Sequence, residues 1–297
     1  MAAYEWLLDE TGGAFEREVA KRIRTSTYFG QEIDERPRRL ALMNLYLHQV
    51  EPRIKLGDSI YEAPSAQRFD VILTNPPFGT KKGGGRPSRT DFSITADTSN
   101  KQLAFVEHVV RALKLGGRAA VVVPDNVLFE DNAGQRLRTW MMELCDVHTL
   151  LRLPTGIFYA QGVKTNVLFF TRGKTDKGNT RGIWVYDMRA NMDTFGKTRP
   201  LTASDFKEFE LCFGRDPLGR SKRKDRGEEG RFRFFTRQQI THRGENLDIA
   251  WLRDTSNDPE DEMTEPGELL AAISKHLKRA QNEIEALSEE LAAPAPR

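Results

Sequence analysis

The sequence predicts an α/β protein built on a doubly wound sheet, and two observations carry that prediction. Strand-like and helix-like segments alternate from the start of the chain to about Arg172. Two of the strand segments, "FDVILT" and "RAAVVVP", are nearly all apolar, as strands covered on both faces are. In chain order, "AAYEWLLDE" reads as a helix, and "AFEREVAKRIR" as a second one after the Gly12-Gly13 break. "TYFGQEI" is a short strand and "RRLALMNLYLHQV" an amphipathic helix. "RIKLGDSI" and "FDVILT" follow as strands, the latter expected to be buried on both sides. "NKQLAFVEHVVRALK" is a helix ended by Gly116-Gly117, and "RAAVVVP" is the next buried strand. "NAGQRLRTWMMELC" is a helix, and "VHTLLRLP" and "KTNVLFFTR" close the series as strands. Sheets of this type bind ligands beyond the carboxyl ends of their strands. Asn75, opening "NPPF", stands at one of those ends.

Bulk composition narrows the class. A chain of 297 residues holds one large domain, or one domain and an appendage. With 38% hydrophobic and 30% charged residues it reads as soluble and globular, with a generous polar surface. A net charge of +2 gives no nucleic-acid signal, which would have to come from clustering. Cys145 and Cys212 lie far apart, so no disulfide framework is expected and a reducing cytoplasm fits. "MAAYEWLLDE" lacks the basic start and apolar run of a signal peptide. No apolar stretch approaches the roughly 20 residues that span a bilayer. No metal-ligand pattern is read from the chain, and a cytoplasmic location is expected.

Three segments break the alternation. "TKKGGGRPSRTDFSITADTSN", from Thr80 to Asn100, is a long, basic, Gly-rich connection. It reads either as a solvated surface loop or as a substrate-contacting one, and its place directly after "NPPF" favours the second. After about Pro200, "CFGRDPLGRSKRKDRGEEGRFRFFTRQQI" interleaves cations with Phe232, Phe234 and Phe235. That mixture suits phosphate contacts with stacking, and equally a solvated ordered loop, since Asp225, Glu228 and Glu229 dilute it. From Leu270, apolar residues recur at Ile273, Leu277, Ala280, Ile284, Leu287 and Leu291, a heptad seam. This helix either packs on its own domain or receives a partner helix. The expected divisions are a catalytic domain over 1–200, a basic and aromatic extension over 201–263, and a heptad helix with a frayed tail over 264–297.

The chemistry of "NPPF" follows from its residues. Pro76 and Pro77 fix φ and push the preceding residues to extended geometry, so the Asn75 amide and the Pro76 carbonyl point in set directions. Neither proline donates a backbone hydrogen bond, so the pair offers acceptors without competing donors. A conjugated amine such as the exocyclic NH₂ of adenine is a poor nucleophile, because its lone pair is delocalised. Two acceptors on its two hydrogens draw the nitrogen towards tetrahedral geometry and free the lone pair. A methyl group on a sulfonium is electrophilic enough to be attacked without a strong base. Preorganised dipoles of this kind lower a barrier by about 3 kcal/mol each. Phe78 offers a face to a base swung out of its stack.

"NPPFG" after "FDVILT" resembles a motif of the adenine-specific DNA methyltransferases, and the chain is similar to the modification subunit of type I restriction–modification systems. The likeness also rests on "FGQEI", "LGDSI", "NKQLAFVEHVVRALKLGGRAAVVVPDNVLF", "LRLPTGIFYAQGVKTNVLFF" and "GEEGRFRFF". It implies a Rossmann-like sheet, S-adenosylmethionine as methyl donor, and transfer to N6 of a flipped-out adenine. It implies Asn75, Pro76, Pro77 and Phe78 as the group holding the target base, and Glu32, Asp58, Asn75 and Phe105 as the cofactor set. Glu32 would bond the ribose hydroxyls, Asp58 would face the cofactor's adenine amine, and Phe105 would pack on its adenine ring. Duplex DNA, a specificity subunit met through the C-terminal helix, and a restriction subunit are the implied partners. In the family a "DPACGTGG"-like strand end precedes the helix that "AAYEWLL" resembles, and this chain has no such stretch. The expectation is therefore a truncated amino end, a sheet lacking that strand with two exposed edges, and half a cofactor site. Two other readings stand beside the leading one. One is a methyltransferase of the same fold acting on RNA guanine or protein glutamine; the other is a non-catalytic scaffold docking to a specificity subunit.

Overall fold

A computed structural model of the chain describes residues 2–13, 15–51, 53–77, 89–158, 163–192, 195–196 and 199–252. The chain opens with helices α1 (Ala2–Thr11) and α2 (Arg17–Ser26), strand β1 (Gly30–Glu32), α3 (Glu35–Leu47), and strands β2 (Ile54–Leu56) and β3 (Phe69–Thr74). It continues through α4 (Lys101–Ala112), β4 (Leu113–Pro124), α5 (Asn126–Phe129), α6 (Ala133–Leu144), β5 (Cys145–Arg152) and β6 (Thr165–Arg172). Next come β7 (Gly182–Asp187), a 3-10 turn leading into α7 (Lys207–Phe213), β8 (Phe232–Thr236) and α8 (Arg237–His242). The strands form two sheets: β1 pairs with β2, and the other six lie in the order β3-β4-β6-β5-β7-β8. Strands β3, β4, β5 and β7 share one direction, while β6 and β8 run against their neighbours.

Local chemistry explains the elements that carry the core. The Asn100 side chain caps α4 by accepting from the Gln102 and Leu103 N–H groups. Leu103, Val106 and Val110 then fall on one helical face and are buried. They pack with Leu137 and Met141 of α6 against Val121, Val147, Leu150, Leu168 and Phe170 of the sheet. Truncating one such leucine to alanine costs about 2–5 kcal/mol. On the opposite face, Leu151, Tyr186, Phe209 and Phe232 form a second cluster under α7. The small sheet has a core of its own, centred on Tyr4, Ile23 and Val50. Arg152 secures the segment before residue 252: it donates to the Ile249 carbonyl at 2.8 Å and pairs with Asp187 and Asp248.

Five sequence expectations change. "FDVILT" is not buried on both faces: among the described residues β3 pairs only with β4, and Val71 and Leu73 are 42% and 64% exposed. Its open edge and the open edge of β1 face one cleft, whose walls include Gly30, Gln31, Val71 and Leu73. Gly116-Gly117 does not end the helix, because α4 stops at Ala112 and β4 begins at Leu113. The glycines instead sit where the register jumps from Phe69↔Leu113 to Val71↔Arg118. Gly116 has φ +77°, and a Cβ on Gly117 would lie 2.8 Å from the Phe69 carbonyl, so the bulge demands both. The strand series does not end at Arg172, since β7 and β8 extend the same sheet. Finally, Phe232, Phe234 and Phe235 belong to β8: Phe232 is buried and Trp184 stacks on it at 4.8 Å. The helix expected as amphipathic does form as α3, yet none of its residues is buried, and Leu40, Met43 and Leu47 are exposed. The heptad seam lies outside the described residues.

Candidate active site

The parallel strands β1 and β2 end side by side. Glu32 pairs in register with Leu56, and the Gly57 N–H donates to the Glu32 carbonyl at 3.0 Å. Glu32 is thereby brought beside the turn that opens at Asp58. The Glu32 Oε1 accepts from the Asp34 N–H at 3.0 Å, fixing the carboxylate at the strand's end. Asp58 organises the turn: its Oδ1 accepts from the Ile60 and Tyr61 N–H groups at 2.8 and 3.2 Å. Its Oδ2 takes part in neither bond. Glu62, which sequence reasoning missed, closes the turn by accepting from the Asp58 N–H at 3.0 Å, Lys55 at 2.7 Å and Gln31 at 3.2 Å. The hydrogen bonds from Lys55 and the Asp58 backbone hold its carboxyl below the ordinary range. Its position four residues after Asp58 and seven after Lys55 was the only signal available.

Phe105 projects from α4 and packs on a small buried cluster of Ile60, Phe92 and Ala104. Asp58 and Phe105 line the same cleft of about 470 Å³, together with Ile72, Thr74, Val109 and Ala112. Glu32 and Asn75 are not among its walls. The cleft thus offers a flat ring and a carboxylate to one ligand, as an adenosine moiety would require, with Glu32 at its margin. The residues present fit the adenosine half of S-adenosylmethionine.

Asn75 sits at the carboxyl end of β3, exposed, and its amide has no hydrogen-bond partner among the described residues. Pro76 is buried and Pro77 exposed, so the backbone beyond Asn75 is anchored on one side. Phe78 lies outside the described residues. At the neighbouring end of β4, Asp125 is held by Arg189 at 2.6 and 3.0 Å and by Asn166 at 2.8 Å. Burial works to raise that carboxyl, but hydrogen bonding and charge from Arg189 outweigh it and keep it ionised. The long connection after "NPPF" is described from Arg89 onward. Glu107, fully buried on α4, accepts from the Ser93, Ile94 and Thr95 N–H groups at 3.0, 3.3 and 2.8 Å and from the Thr95 hydroxyl at 2.6 Å. Among the described residues no cluster of three metal-ligating side chains occurs, and no helix is long and apolar enough to cross a membrane. Both cysteines are free and buried.

Glu32 and Asp58 at the carboxyl ends of the β1–β2 pair, Asn75 at the end of β3 in the larger sheet, and an aromatic wall from α4 fit a Rossmann-like methyltransferase fold. Residues 6–261 match the family described as N-6 DNA methylase, and the chain belongs to that family. It is 41% identical over 302 aligned residues to the StySPI methylase subunit of a type I restriction enzyme from Salmonella potsdam. The same identity holds to the EcoKI methylase subunit from Escherichia coli strain K12, with 90% of this chain and 56% of that protein covered in each case. The crystal structure of the EcoKI M protein superposes with a TM-score of 0.78 at 39% identity, covering 98% of this chain and 66% of the other. The chain spans about half the length of the curated relatives it matches.

Proposed function

We propose that this chain carries the catalytic site of an adenine-specific DNA N6-methyltransferase, the modification subunit of a type I restriction–modification system. The observation that carries the reading is Asn75: an exposed amide at a strand end with no hydrogen-bond partner among the described residues, followed by two prolines and set beyond a cleft suited to adenosine. S-adenosylmethionine is the methyl donor, and when bound it supplies an electrophilic methyl group. Asp58 and Phe105 hold its adenosine half and Glu32 the ribose. The Asn75 side chain and the Pro76 carbonyl accept the two hydrogens of the target amine and free its lone pair, while Pro77 keeps that carbonyl fixed. Phe78 stacks on the extruded base. The clamped Asp125 takes no part as a base, because its oxygens are engaged by Arg189 and Asn166. Duplex DNA, a specificity subunit and a restriction subunit are the partners, the heptad helix over 264–297 is the contact for the specificity subunit, and the cytoplasm is the location.

The test is methyl transfer. In the assembly that holds this chain with its specificity subunit, labelled S-adenosylmethionine should mark adenine N6 in duplex DNA, and Asn75→Ala should lower the rate by about 100-fold or more. Label appearing instead on ribosomal RNA or on a glutamine side chain would move the substrate to one of the other two classes. Normal turnover by Asn75→Ala would end the acceptor mechanism. One observation favours a second reading: the open edges of β1 and β3 leave the described sheet in two pieces, which suits a scaffold that docks without catalysing. Calorimetry with S-adenosylmethionine separates the two, since a scaffold would bind none.

A further inference from the structure

Arg89 is buried where three parts of the site meet. Its Nη1 donates to the Ser59 carbonyl at 3.0 Å, inside the turn that Asp58 organises. The same nitrogen contacts Nδ1 of His108, which lies one helical turn beyond Phe105 on α4. A guanidinium has no acceptor, so Nδ1 accepts and the ring hydrogen sits on Nε2. Burial, then the charge of Arg89, lower the His108 pKa to about 4, so the ring is neutral and able to accept at neutral pH. Asp91 grips the other side of the fork through both its oxygens, at 2.9 and 2.5 Å. The guanidinium lies 4.4 Å above the centre of the Phe92 ring, which is buried with Ile60 and Ala104 beneath Phe105. One cation therefore touches the Asp58 turn, the helix bearing Phe105, and the segment that follows "NPPF".

We propose that Arg89 is a positioning residue: it joins the Asp58 turn to α4 so that the carboxylate and the Phe105 ring stand at a fixed separation for the adenosine end of the methyl donor. This rests on the reading of the cleft given above and deepens it. Three covalently distant pieces must hold a common geometry, and small displacements of a site's supporting groups cost affinity and rate steeply. Lysine cannot reproduce the fork, because its three donors radiate from one nitrogen and cannot span Ser59, His108 and Asp91 in a fixed plane. Ser59 offers only its backbone carbonyl, so the substitution that cuts the link must be made at Arg89 or at its other partners.

The experiment compares wild type, Arg89→Met, Arg89→Lys and Asp91→Asn in the assembled enzyme. It measures S-adenosylhomocysteine affinity by calorimetry, KM for S-adenosylmethionine, kcat, and the thermal midpoint. A positioning role predicts an affinity loss of roughly tenfold or more in Arg89→Met, a KM rise that exceeds the fall in kcat, and only partial rescue by lysine. Asp91→Asn, which leaves Arg89 in place but loosens its grip, should shift affinity in the same direction by less. Wild-type affinity in Arg89→Met would overturn the proposal. If Arg89→Met does not fold, Asp91→Asn decides: unchanged affinity there overturns it. Absence of S-adenosylhomocysteine binding in the wild type would bring down the reading of the cleft itself, a failure distinct from normal binding that ignores Arg89.

Discussion

Asn75 and His148 mark two opposite uses of a polar side chain. Asn75 has no hydrogen-bond partner among the described residues at its strand end, so its substitution should leave stability almost untouched while, under the proposed function, removing methyl transfer. His148 is buried in β5, with Nδ1 near the Thr149 hydroxyl at 2.9 Å and Nε2 lacking a partner. Burial chiefly, with the nearby charge of Arg223 and against that of Asp216, lowers its pKa to about 3. In the unfolded chain the ring takes up its proton near the ordinary value of 6.5. The unfolded state therefore binds more protons as pH falls, and stability that is whole above 6.5 drains away down to about 3. The slope from this ring reaches about 1.4 kcal/mol per pH unit. Urea unfolding between pH 6.5 and 4.5 should show it, and His148→Gln should make that limb shallower, leaving the share that His108, with its pKa lowered to about 4, contributes in the same direction. At this scale the sequence was most readable for the position of Asn75 at a strand end, where the following prolines restrict it locally. It was least readable for Arg89, Glu62 and Glu107, whose partners lie 2 to 31 residues away and depend on the folded chain.

The element whose behaviour most affects the site is α4. It supplies Phe105 to the cleft, His108 to Arg89 and Glu107 to the backbone of residues 93–95. Burial works to raise the Glu107 carboxyl, but hydrogen bonds from Thr95, Arg111 and the Ser93 backbone outweigh it, so it stays ionised. Glu107→Gln replaces one acceptor oxygen by a donor that faces other donors. The expected cost is about 2–4 kcal/mol in chemical denaturation, with faster proteolysis around residues 93–95. A denaturation midpoint unchanged from wild type would show that the carboxylate is not what orders this segment. The helical period of α4 was legible because its apolar face repeats in sequence. Its end was not, because Gly116-Gly117 has the look of a helix stop and is in fact the bulge that lets β4 start early. The edge position of β3 was hidden for a related reason: an apolar run states what a strand is made of, not how many neighbours it has.

Across the whole molecule, the alternation of strands and helices was legible up to Arg172, and the two last strands were not. β8 reads as a basic, aromatic segment because Arg233 sits between Phe232 and Phe234, and only pairing with β7 makes it a strand. The larger sheet owns the two extensive cores, while the β1–β2 pair relies on Tyr4, Ile23 and Val50. Among the described residues the bridges between them include the Phe29–Phe69 ring contact at 5.9 Å, Lys101 over the Tyr61 ring at 5.5 Å, the Ile60–Phe92–Ala104 cluster, and Arg89 on Ser59. Two cores with so thin a seam should lose their native structure at different temperatures, the lesser one first. Under the proposed function, a nucleoside held by Glu32 and Asp58 on one side and Phe105 on the other would straddle that seam. Its binding should therefore merge two calorimetric peaks into one, making the methyl donor a fastener for the molecule as well as its reagent.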